Sequence, residues 1–123
     1  MMTTTGIANR FLELCRKQDW QQIYSELYSQ DAESVEPPGT PWPNIKGLDA
    51  FANKGEKWQS MIEEHHGMEV SDSLITDNFF VIKMTSENTM KGMGRVKFEE
   101  LCMYEVQNSK IIKEQFFTRL KLD

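Results

Sequence analysis

The chain has few of the residues that would give its chemistry away. In 123 residues there are two cysteines, Cys15 and Cys102, and two histidines, His65 and His66. The cysteines lie far apart in what read as a helix and a strand, which suits small buried apolar side chains in a reducing compartment better than a disulfide. No run of lysine or arginine occurs, and the formal net charge is -5. A phosphate backbone or an anionic lipid surface attracts the opposite sign, so neither nucleic acid nor a membrane is an expected partner. No apolar run approaches the length of a membrane span. The start Met1-Met2-Thr3-Thr4-Thr5-Gly6 lacks the basic stretch and apolar core of a signal peptide, so the expected location is the cytoplasm. A Gly-rich phosphate loop, a nucleophile elbow and metal-ligand spacing are also missing. Cofactor-dependent redox, phosphoryl transfer and serine hydrolysis therefore rank low, and neither a cofactor nor a metal is expected. His65 and His66 do not alter this: in an extended chain neighbours point to opposite faces and cannot hold one ion.

What is present is enough for one core. The chain is 39% hydrophobic and 11% aromatic, so it can fold without a metal or disulfide staple, and 27% charged residues keep its surface wet. Thr4 or Thr5 can cap a first helix with Ile7, Phe11, Leu14 and Cys15 at helical spacing. Asp19, with Gln22 three residues on, reads as the cap of a second helix whose apolar face is Trp20, Ile23, Tyr24, Leu27 and Tyr28. A short segment, Ala32 to Glu36, runs into Pro37-Pro38-Gly39 and a loop with Pro41, Trp42 and Pro43. After Gly47 a third helix fits Leu48, Phe51, Ala52, Gly55, Trp58, Met61 and Ile62, with Asp49 in its first turn.

Beyond His65 the period changes to two, giving candidate strands at 66–70, 78–86, 93–106 and 111–120, separated by turn-forming residues. Helices first and a meander afterwards define an α+β domain spanning 1–123, with no repeat or linker to divide it. The 93–106 strand sorts into two faces. Val96, Phe98, Glu100, Cys102, Tyr104 and Val106 form one, so Glu100 falls among apolar neighbours, where its acidity should weaken unless a partner satisfies it. Two readings stand: a buried functional acid, or a bulge at Glu99-Glu100 that turns Glu100 outward. On the other face Leu101 and Met103 sit among charges, which fits either a homodimer through the sheet or an ordinary solvated face.

These elements and certain residues resemble the nuclear transport factor 2-like superfamily, and within it the SnoaL-like domain related to polyketide cyclases and ketosteroid isomerase. The resemblance runs through Leu27-Tyr28-Ser29-Gln30-Asp31-Ala32, Glu36-Pro37-Pro38-Gly39, the Gly47 helix start, Tyr104-Glu105-Val106, Lys110-Ile111-Ile112 and Glu114-Gln115-Phe116-Phe117. It implies three N-terminal helices packed in the concave face of a curved antiparallel sheet, a cystatin-like cone with an internal pocket. In the isomerase branch a carboxylate just before the first loop proline is the proton-shuttling base, and Glu36 stands there. The branch's two oxyanion donors match Phe11 and Cys102, which departs from its pattern, and Glu100 lies one inward step from Cys102. The implied chemistry is cofactor-free proton transfer on a small apolar carbonyl compound, with Glu36 as base and Glu100 as acid. The alternative is a noncatalytic small-molecule-binding or dimerisation module. Candidate ligand contacts are Trp20, Tyr24, Trp58, His66, Phe98, Cys102, Tyr104, Glu114 and Phe116. Each has a plainer alternative: the aromatic residues as core, His66 as a structural histidine, and Glu114 as a member of a poorly alternating strand.

Overall fold

Thr3 opens the fold. Its hydroxyl accepts from the Gly6 amide and starts α1 (Thr4–Arg16), one residue before the expected caps. The stripe Ile7, Phe11, Leu14 and Cys15 is buried, joined by Ala8 and Leu12. Asp19 accepts from the Gln22 amide, as its spacing predicts, and starts α2 (Trp20–Leu27). The chain passes directly into β1 (Tyr28–Val35), longer than the Ala32–Glu36 segment because the polar run Ser29-Gln30-Asp31 hides its first half. A two-residue strand, β2 (Ile45–Lys46), leads to Gly47, whose φ of 91° suits glycine and whose amide donates to the Ala32 carbonyl at 2.8 Å. Then come α3 (Leu48–Met61), β3 (Ile62–Val70), β4 (Leu74–Thr76), β5 (Phe79–Met90), β6 (Gly94–Gln107) and β7 (Lys110–Phe117). This computed structural model describes residues 2–118, so positions 119 and 120 of the expected last strand lie outside the described residues.

The strands form a curved sheet in the order β2-β1-β7-β6-β5-β3, with β4 paired to β5. It is an open path, not a closed barrel. Every hairpin neighbour is antiparallel, but β1 and β7 run parallel, so the sheet is mixed where the resemblance implied an antiparallel one. These two strands are separated by most of the chain, and no tight turn dictates their relative direction.

Alternation divides the sheet into an inner face under the helices and an outer one. Phe11 of α1 lies against Phe80 of β5 and Tyr104 of β6, with ring centroids 5.7 and 4.6 Å away, and Phe80 stacks on Tyr104 at 4.8 Å. Tyr24, Tyr28 and Phe51 make a second aromatic group where α2, β1 and α3 meet. The helices fill one end of the concave face. The rest of that face carries the polar groups.

Candidate functional site

The β5–β6 register is unbroken from Phe79–Glu105 to Met90–Gly94, which leaves no bulge at Glu99-Glu100. Glu100 consequently points inward with Phe98, Cys102 and Tyr104, opposite Met84 of β5. Its polar neighbour is the Cys102 thiol, 4.0 Å away. Burial pushes the Glu100 carboxyl up to about 7, the negative charges of Glu36 and Glu114 push the same way, and the Lys54 ammonium opposes them. Burial also raises the Cys102 thiol, so it stays protonated.

Glu36 follows β1 directly, and its amide donates to Asn44 Oδ1 at 2.8 Å across the loop. Its side chain, 10% exposed, forms an ion pair with Lys54 of α3, 22% exposed. Lys54 Nζ also reaches Ser34 Oγ at 3.4 Å, and Ser34 donates to Glu114 Oε2 at 2.7 Å. Tyr28 donates to the other oxygen, Glu114 Oε1, at 2.5 Å. A continuous chain of contacts therefore runs Glu36, Lys54, Ser34, Glu114, Tyr28. Burial raises the Glu114 carboxyl, while the hydrogen bonds from Tyr28 and Ser34 and the charge of Lys54 draw it back. The Tyr28 hydroxyl is fully enclosed and driven well above its usual range.

Apolar side chains border this polar chain. Trp58 of α3 meets Phe98 edge-on at 5.4 Å and Trp42 of the loop at 6.3 Å, and Lys54 lies 5.3 Å over the Phe116 ring. On the opposite, outer face of the sheet a surface depression of about 380 Å³ is lined by Lys83, Glu99, Leu101, Phe117 and Thr118, with Glu100 in the strand between them.

The expected site residues divide three ways. Glu36, Glu100, Glu114, Trp58, Phe98 and Phe116 gather around Lys54, with Cys102 beside Glu100. Tyr104 and Tyr24 are committed to the two aromatic core groups, and Trp20 packs on the core edge. His66 does not face inward. A register irregularity between His65 and Gly67 pairs His65 with inward-facing Asn88 and sends the His66 ring to Thr89 Oγ1 at 2.7 Å, on the outer face. The bulge shifts the alternation by one, which a strand read from 66 onward could not show.

Lys54, Ser34, Tyr28 and Trp42 went unrecognised as site residues. Lys54 did leave a signal: it stands three residues after Phe51 and four before Trp58, so a lysine interrupts a buried stripe. The helix is turned accordingly, with Phe51, Lys54 and Trp58 toward the sheet, whereas Ala52 and Gly55 of the expected stripe are exposed.

A helix layer in the concave face of an open, strongly curved sheet, with acids and aromatic residues at its uncovered end, defines a cone-shaped α+β protein with the fold of cystatin-like and nuclear transport factor 2-like structures. Within that class the chain belongs to the SnoaL-like domain family, whose model matches residues 2–118. It is similar to a candidate SnoaL-like polyketide cyclase from Mesorhizobium loti, with 30% identity over 95% of this chain and 100% of the other, at a TM-score of 0.89. More distant solved structures share the fold. One is a Xanthomonas campestris protein of unknown function with a cystatin-like fold: 14% identity, 94% and 90% covered, TM-score 0.79. Another is a Catenulispora acidiphila protein with a ketosteroid isomerase-like fold, solved with trimethylamine: 14% identity, 96% and 88% covered, TM-score 0.73. Comparison with curated protein sequences gave no match.

Proposed function

We propose that the chain is a cofactor-free enzyme that moves a proton next to a carbonyl group in a small apolar substrate, in an isomerisation, dehydration or aldol-type cyclisation. One observation carries this reading: two carboxyls of unlike environment converge at the uncovered end of the cone, Glu36 ion-paired with Lys54 and Glu100 among apolar groups with its acidity brought to about 7. Glu36 takes the proton from the carbon beside the carbonyl. Glu100 gives its proton, or a hydrogen bond, to the carbonyl oxygen as charge develops there. Trp42, Trp58, Phe98 and Met84 supply the apolar bed. The cyclase name borne by the Mesorhizobium loti relative accords with enolate chemistry of this kind. Free, buried Cys15 and Cys102 accord with a cytoplasmic location.

Deuterium exchange at the carbon beside the carbonyl, followed by NMR over a panel of cyclic ketones and β-diketones, tests the reaction. Exchange above the buffer rate, lost by about 100-fold or more in Glu36→Gln and in Glu100→Gln, is the expected result. A parent protein that exchanges no member of the panel, yet binds some of them, supports the noncatalytic binding module instead. The double capping of Glu114 by Tyr28 and Ser34 is the feature that favours that second reading, since it leaves this acid structurally satisfied.

The outer face supports a further element of the proposal, a homodimer through the sheet. Leu101 and Phe117 are cross-strand partners and each is 48% exposed, an apolar pair that a second copy would cover.

A further inference from the structure

The Glu36, Lys54, Ser34, Glu114 and Tyr28 chain has an unequal ending. Glu36 holds the Lys54 ammonium directly, and Glu114 holds it through one serine hydroxyl while also accepting from Tyr28. Both acids thus have donors suited to a carboxylate. Glu100, on the neighbouring strand, has among the described residues only the weak Cys102 thiol donor at 4.0 Å. Like charges crowded in one apolar recess cannot all ionise, and the proton stays on the acid with the poorest donors.

We propose that Lys54 is the positioning residue of this site: by fixing Glu36 directly and Glu114 through Ser34 as carboxylates, it assigns the shared proton to Glu100. Glu36 is thereby the base and Glu100 the acid because of where one ammonium sits. The inference rests on the acid and base roles proposed above, but it concerns proton placement in the free protein and can be tested without substrate. The groups that face Glu100 are Glu36 from the end of β1, Lys54 from α3, Glu114 from β7 and Cys102 from its own strand. Met84, its partner on β5, is uncharged, and Lys83 and Glu99 pair with each other at 3.3 Å on the opposite face of the sheet. The direct charge of Lys54 on Glu100 acts the other way, favouring its ionised form, and is outweighed by burial and by the two neighbouring acids.

The experiment is a pH titration of side-chain carboxyl carbons by NMR in protein labelled at glutamate, with the Glu100 signal assigned through Glu100→Gln. Lys54→Met keeps the length of the side chain and removes its charge. It is expected to lower the Glu100 midpoint by about one pH unit, because Glu36 and Glu114, no longer held as carboxylates, then compete for the shared proton and cease to repel the Glu100 charge. Lys54→Arg is expected to restore the parent midpoint to within a few tenths. Glu36→Gln, which removes a repelling charge and frees the ammonium, is expected to lower it, and serves if Lys54→Met does not fold. A Glu100 midpoint unmoved or raised in folded Lys54→Met, one moved equally by Lys54→Arg, or one that fails to fall in Glu36→Gln overturns the proposal. Absence of ketone exchange in the parent would defeat the proposed reaction and leave these titrations standing.

Discussion

Glu100 and Glu114 are inward-facing acids on adjacent strands, and the fold treats them differently. Glu114 is 6% exposed but accepts from two hydroxyls, so its burial is compensated; Glu100 has no such donors and carries the cost as a weakened acidity. The linkage has a definite sign. The folded value of about 7 lies above the ordinary 4.5, so the native state binds more protons between those limits. The contribution of Glu100 is therefore fully present below pH 4.5 and is lost as pH rises through about 7. Unfolding free energies from urea melts should fall with rising pH more steeply in the parent than in Glu100→Gln, the two diverging by about 3 kcal/mol above neutrality. Parallel curves would show that Glu100 is solvated. Removing a donor from Glu114 has the opposite character: Tyr28→Phe should destabilise at every pH by about 1–3 kcal/mol, because it leaves a buried carboxylate oxygen unpaired. Thermal melts that match the parent would contradict this.

Among the elements, the caps were readable and the faces less so. The Asp19 cap is expected to contribute about 1 kcal/mol, and Asp19→Ala should lower the unfolding free energy by that amount without affecting the carboxyl titrations; a neutral substitution would mean that the bond to Gln22 is solvated. Asp19 and Gly47 were legible because capping chemistry is local. The inward alternation of Glu100 was legible because fourteen consecutive residues of β6 keep one period. What was lost lies where local pattern and tertiary placement part. The bulge at His65–Gly67 reverses the facing of His66 with no change of composition, and two- and three-residue strands such as β2 and β4 are too short to show a period. The Lys54 contact is a meeting of α3 with the ends of β1 and β7, and no single segment announces it.

For the whole molecule, the open sheet leaves one face without helices. The Leu101–Phe117 pair lies there, with Arg95–Glu87 and Lys83–Glu99 ion pairs nearby. If a second copy covers it, Leu101→Glu should shift the sedimenting species to half the mass while far-ultraviolet circular dichroism is unchanged; an identical sedimentation profile would remove the dimer from the proposal. The strand order has another consequence, for how the chain is made. β1 is synthesised early, yet apart from the two residues of β2 its sheet neighbour is β7, and the pairing Tyr28–Ile111 spans most of the sequence. On the ribosome, β1 with its short partner β2 must therefore wait apart from the main sheet while β3 to β6 emerge as a hairpin series that can assemble by itself. Only the arrival of Lys110–Phe117 joins the two halves, and it is this same strand that brings Glu114 to Ser34. A chain truncated before residue 110 should then keep the β3–β6 hairpins while the amides of β1 exchange rapidly with deuterium, since the strand they pair with is missing.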